Sequence, residues 1–135
     1  MSIALICVAA LTALVFALGM NVSRIRGVRE RTGETLFPTD PADDLLKAVR
    51  AHGNAAEYVP SLAILFLVTG LGQPPAWIIA CIVGATAARL LHAYAMLTAT
   101  SLAVRGRARY AGAMATYVLG LVLAVAAVIQ PGPLR

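Results

Sequence analysis

Three stretches of this 135-residue chain carry no Asp, Glu, Lys or Arg: Ser2 to Ser23, Tyr58 to Ala88, and Tyr110 to Leu134. A helix that crosses a bilayer needs about 20 apolar residues, so the first and last stretches each predict one span. The middle stretch is broken by Gly70-Leu71-Gly72-Gln73-Pro74-Pro75, a run of turn formers. It predicts the end of one helix and the start of the next. The expected architecture is an all-α integral membrane protein, a single domain over residues 1–135 folded as a four-transmembrane-helix bundle. The spans are expected from about Ser2 to Arg24, from Asp40-Pro41 to Gly70, from Pro75 to Leu97 and from Arg107 to Gln130. Arg26 to Pro41 reads as the one long polar connection, with Gly27, Gly33, Pro38 and Pro41 blocking a helix. Asp40 or Thr39 is the expected N-cap of the second helix, with Pro41 in its first turn. Pro60 is its expected kink point.

One segment departs from the apolar pattern. Arg50-Ala51-His52-Gly53-Asn54-Ala55-Ala56-Glu57 places four strongly polar side chains at the mouth of the second span. Arg50, Asn54 and Glu57 stand at i, i+4 and i+7, so they share one helical face. His52 points away from that face and is read, with Arg50, as part of a structural polar network. On the third span Arg89 and His92 stand at i and i+3. Ionisable groups at membrane depth are costly and persist where they face protein and find partners. Arg89 therefore needs a counter-charge, and Glu57 is the obvious candidate. One carboxylate cannot neutralise both Arg50 and Arg89. Two outcomes follow: a closed ion-pair and hydrogen-bond network that fixes helix register, or a surplus of positive charge that binds an anion, such as a small molecule with one or more carboxylates.

Composition supports the membrane reading. Hydrophobic residues make up 60% of the chain and charged residues 13%, about half the share of a soluble domain. The net charge of +5 is concentrated. Arg24, Arg26, Arg29, Arg31 and Lys47 lie between the first two spans, Arg105, Arg107 and Arg109 between the last two, and none in the Gly70–Pro75 connection. The positive-inside rule then puts both basic loops in the cytoplasm and both termini outside; holding anionic lipid is the plain role for most of these residues. The first apolar run has no cation ahead of it, and Cys7 follows Ile6 rather than a small residue, so it reads as a retained helix rather than a signal peptide. Cys7 and Cys81 sit in apolar runs without ligand spacing and read as packing residues. Tyr58, Tyr94, Tyr110, Tyr117 and Trp77 read mostly as interfacial anchors. No metal and no nucleic-acid partner is expected.

The segment Thr39-Asp40 through Arg50-Ala-His52-x-Asn54-x-x-Glu57-x-x-Pro60 resembles the second-helix signature of the MAPEG superfamily, the membrane-associated proteins of eicosanoid and glutathione metabolism. Ala88-Arg89-x-x-His92-x-x-Ala95-x-Leu97-Thr98 is similar to their third-helix motif, and Arg24-Ile25 to the Arg-Leu pair that closes their first helix. Arg105, Gly112 and Thr116 fall where that family carries an arginine, a glycine and a threonine. The match runs in order along nearly the whole chain.

The resemblance implies a homotrimer, of the bacterial type and in the inner membrane, with glutathione as co-substrate between neighbouring subunits at the cytoplasmic helix ends. Carried over position by position, Arg24, Asn54, Glu57, Arg89, His92 and Arg105 would bind glutathione. Glu57 would receive its amino group, and Arg105 is the catalytic candidate that favours its thiolate. A hydrophobic acceptor, such as a lipid hydroperoxide or xenobiotic, would arrive from the lipid. Three positions depart from the family: Met96 stands where its eukaryotic enzymes have tyrosine, Gly106 where one member has serine, and Gly53 where some have arginine. Met96 cannot donate a hydrogen bond to sulfur, which leaves a non-catalytic, lipid-binding scaffold as the alternative to a glutathione transferase or peroxidase-like enzyme. A small multidrug transporter has similar length, but the first span lacks the acidic residue such proteins use.

Overall fold

The computed structural model describes residues 2–129, which form four helices: α1 (Ile3–Thr32), α2 (Asp44–Gly70), α3 (Ala76–Leu97) and α4 (Arg107–Ile129). By length and composition α1, α3 and α4 are each apolar enough to cross a membrane. The polar residues in the first half of α2, Lys47 to Glu57, set that helix apart.

Consecutive helices run antiparallel. Ser2 Oγ at the start of α1 donates to the Gly70 carbonyl at the end of α2 at 3.3 Å. A side chain at Gly70 would collide with Ala4 and Ile82, each at 2.6 Å. That close approach of α1, α2 and α3 requires glycine at this position. The Cys7, Leu11, Leu62, Phe66, Ile78 and Ile82 side chains fill the core beside it, and Cys81 packs against its margin. Both cysteines are free. The core continues through Leu18, Ala51, Ala55 and Met96 to Val22, Leu45 and Ala48 at the basic end. α2 and α3 each touch all three other helices, whereas α1 and α4 do not meet. The outward faces carry Phe16, Met20, Leu121, Val125 and Val128, all exposed, as lipid-facing surfaces require.

Two boundaries differ from expectation. α1 does not stop near Arg24 but continues two turns to Thr32, and Gly33 ends it in the left-handed conformation (φ 74°). Gly27 costs about 1 kcal/mol in a helix interior, which tertiary contacts outweigh. Arg29, on this extension, is buried, donates to Asp43 Oδ2 at 2.7 Å and to the Thr35 carbonyl at 3.1 Å, and lies 3.8 Å from Glu34. α2 opens at Asp44 rather than Asp40-Pro41 because Asp43 is the N-cap: its Oδ1 accepts from Leu45 N at 2.7 Å and Leu46 N at 3.1 Å. Asp40 instead closes the preceding turn, accepting from the Ala42 and Asp43 amides. Pro60 lies inside α2, which runs through it to Gly70 as expected. α3 and α4 begin within a residue of expectation; Gln130 lies outside the described residues.

Asp43 joins both corrections. Burial alone would raise its pKa, but the hydrogen bond from Arg29 and the two amides outweigh burial and hold the carboxyl below its ordinary 3.8.

Candidate functional site

At the basic end of the bundle a cavity of about 520 Å³ opens between α2, α3 and α4, within the range of small-molecule sites. α2 supplies Arg50, Gly53, Asn54 and Glu57, which line it together as their helical spacing predicts. α3 supplies His92 and Met96. The α3–α4 connection and the first turns of α4 supply Leu102, Arg105, Gly106, Arg109 and Tyr110.

The connection that carries Arg105 is tied down from several sides. The Leu102 amide donates to the Pro41 carbonyl at 2.8 Å, and Lys47 Nζ to the Ala99 carbonyl at 3.3 Å. Lys47 is itself buried and paired with Asp44 at 2.8 Å. One nitrogen of Arg109 donates to both the Leu102 carbonyl (3.0 Å) and the Val104 carbonyl (2.7 Å). The Arg109 backbone carbonyl is 2.8 Å from His92 Nδ1. A carbonyl only accepts, so Nδ1 bears the proton and Nε2 of the neutral ring keeps its lone pair. Arg105 is exposed, with its guanidinium 4.2 Å above the Tyr110 ring, a cation–π contact. Gly112 makes the α3–α4 approach possible. A Cβ there would lie 2.8 Å from the Ala88 carbonyl oxygen and 2.9 Å from the His92 Cβ. Thr116, buried on the same face, donates to the Gly112 carbonyl at 2.7 Å.

Arg89 is buried behind this wall, 1% exposed. It does not pair with Glu57. Its terminal nitrogen donates to Asn54 Oδ1 at 2.6 Å, and its guanidinium lies 5.1 Å from the Tyr58 ring centroid. The reason is helical phase. Three residues beyond Asn54, Glu57 is turned about 60° around α2 and stands at the surface, with no ion pair or side-chain hydrogen bond among the described residues. Arg50 likewise has neither. The expected structural network of Arg50 and His52 is not formed: Arg50 faces the cavity, while the His52 ring lies against α1 in the space left by Gly19, with Nδ1 buried and unpartnered.

Of the six candidate ligand residues, Asn54, Glu57, His92 and Arg105 meet at the cavity, and Arg89 holds Asn54 from behind. Arg24 is elsewhere. It lines a second cavity of about 470 Å³ with Asn21, Ile25 and Asp44 and donates to Asn21 Oδ1 at 3.1 Å. Arg109 and Tyr110 were not anticipated from sequence. Arg109 was visible only as one of three alternating loop arginines, and nothing in that spacing marks which of them line the cavity.

The cavity wall thus presents Arg50, Arg105 and Arg109 against one carboxylate, Glu57, among the described residues. Chemically it suits a ligand with more than one anionic group and one cationic group. Residues 4–129 match the MAPEG family. No curated protein matches the chain.

Proposed function

The chain belongs to the MAPEG family, an integral membrane family of glutathione and eicosanoid metabolism, and from that premise we propose that it binds glutathione and transfers it to hydrophobic electrophiles. The observation that supports this is the charge inventory of the cavity: three guanidinium groups and a single unpaired carboxylate. Glutathione has the matching set, two carboxylates, one ammonium and a thiol. In this reading Glu57 accepts the ammonium, Arg50 and Arg109 face the carboxylates, and Asn54 and His92 supply further hydrogen bonds. Arg105 stands near the sulfur. A neighbouring cation lowers a thiol pKa from ~8.5 toward neutrality and raises the reactive thiolate fraction. The thiolate then attacks an electrophilic carbon; with a chlorinated aromatic, the new C–S bond forms as chloride leaves.

A homotrimer accounts for Arg24. In a site shared between copies, one subunit supplies the α2–α4 wall and its neighbour supplies Arg24 from the second cavity. Both basic loops then face the cytoplasm, where glutathione is found.

Met96 supports a second reading. It lines the cavity with a thioether that donates no hydrogen bond, as a lipid-binding scaffold without chemistry would permit. Two measurements separate the readings. Calorimetric titration of purified protein with glutathione gives heat in the first and none in the second. Conjugation of a chlorinated aromatic is then measured for wild type and Arg105→Ala. Turnover unchanged by that substitution, with binding intact, removes Arg105 from the mechanism.

A further inference from the structure

Thiol transfer frees a proton, and Arg105 cannot take it, because a guanidinium is already fully protonated. The cavity wall holds few acceptors. Asn54 Oδ1 is occupied by Arg89 at 2.6 Å, Glu57 faces the ammonium in this reading, and the Met96 thioether is only a weak acceptor. What remains is His92.

The imidazole is set up to accept. Its Nδ1–H is fixed on the Arg109 carbonyl at 2.8 Å, which leaves the lone pair on Nε2. Nε2 makes no hydrogen bond among the described residues, where the unpartnered side-chain nitrogens shut off from solvent belong to His52 and Arg89. His92 lines the cavity, so its free nitrogen opens into it. The same turn of α4 that anchors the ring also places the cation: Arg105 lies over Tyr110, the residue that follows Arg109. Gly112 lets His92 approach α4 this closely, since a Cβ there would stand 2.9 Å from the His92 Cβ. A base oriented by a third group, beside a cation for the anion it creates, is the arrangement that thiol activation requires.

We propose that His92 Nε2 is the base that receives the thiol proton. The S–H bond breaks as an N–H bond forms at Nε2, and the sulfur keeps the electron pair and stands against Arg105. Arg50, Arg89, Arg105 and Arg109 surround the ring, with Glu57 the one carboxylate on the cavity wall among the described residues. They hold the thiolate but not the imidazolium, so Nε2 passes its proton on to solvent water and the ring returns to its starting tautomer. Arg105 governs how much thiolate is present, and His92 how fast it forms. This role rests on the thiol-transfer reading.

The test uses the full chain in phosphatidylcholine nanodiscs with glutathione and S-methylglutathione, which carry the same charges but differ in the thiol proton. Calorimetry first establishes binding of each. In nitrogen NMR spectra of histidine-labelled wild type, the His92 Nε2 resonance of the free protein is that of a bare nitrogen. Glutathione moves it toward the protonated position, and S-methylglutathione leaves it in place. Stopped-flow ultraviolet absorption then follows the appearance of thiolate. The amide nitrogen of His92→Asn takes the place of Nδ1 on the Arg109 carbonyl, with nothing at Nε2. This variant forms thiolate about a hundredfold more slowly, at the lower end of general-base catalysis, to the wild-type amplitude at saturating glutathione, and added imidazole restores the rate. An Nε2 resonance that both peptides move alike, or that neither moves although both bind, overturns the assignment whether or not the variant folds. So does a His92→Asn rate within about twofold of wild type. No heat from either peptide overturns the transferase reading, and this role falls with it.

Discussion

His92 Nδ1 donates to the backbone carbonyl of Arg109 at 2.8 Å, while the Arg109 side chain grips the Leu102 and Val104 carbonyls one residue short of Arg105. One residue thereby sets the orientation of the cavity imidazole and the position of the loop arginine. Arg109→Ala frees the loop and lowers kcat/KM about tenfold, the effect of losing one charge-assisted hydrogen bond of about 1.5 kcal/mol. Arg109→Lys keeps a cation but replaces the planar fork with a point charge, and falls between. Ultraviolet titration of bound thiolate checks the route. Its apparent pKa rises in Arg109→Ala toward the value in Arg105→Ala; a thiolate pKa equal to wild type would show that Arg109 acts only as a ligand.

Glu57 carries no ion pair among the described residues, so Glu57→Gln separates binding from stability. Replacing the carboxylate weakens glutathione by about 1.5–3 kcal/mol, the worth of a hydrogen bond to a charged group. The melting temperature of the free protein stays within a degree or so of wild type. A marked fall in melting temperature would reveal a hidden partner for the carboxylate.

Asp43 makes the bundle acid-sensitive. Its folded carboxyl ionises below the ordinary 3.8, so the stabilisation it gives is fully present above that pH. It is lost as pH falls through the folded value, where the N-cap and the Arg29 pair are protonated away. Asp43→Asn keeps a capping oxygen but removes the charge; its thermal stability is lower at neutral pH and flatter through this acid range. Asp43→Ala also removes the cap, for about 1–2 kcal/mol more. Parallel stability profiles for wild type and Asp43→Asn would contradict this account.

Gly112 sets the spacing of α3 and α4. A methyl group there meets a backbone carbonyl and the His92 Cβ, neither of which can rotate away. Gly112→Ala therefore costs about 1–3 kcal/mol through overpacking, despite the better helix propensity of alanine. It also displaces His92, so melting temperature and glutathione affinity drop together.

The helices were legible because uncharged runs of membrane length have few alternatives, and because Gly70 to Pro75 cannot continue a helix. The polar face of α2 was legible for a similar reason: spacing alone puts Arg50, Asn54 and Glu57 on one side. What spacing could not show was which neighbour each group would find. Charge complementarity pointed Arg89 at Glu57, but the phase of α2 delivers Asn54 and Tyr58 instead. The extension of α1 past Gly27 depended on Arg29 meeting Asp43, a contact across 14 residues of chain.

Arg89 also bears on how the protein enters the bilayer. A lone arginine at the centre of a membrane helix opposes insertion by about 2.5–3.5 kcal/mol, and among the described residues no acid pairs with this one. Its partners Asn54 and Tyr58 sit on the preceding helix, tethered to it by only five residues, 71–75. The third helix therefore partitions favourably when it arrives as a hairpin with the second. Biogenesis, as well as architecture, couples the pair.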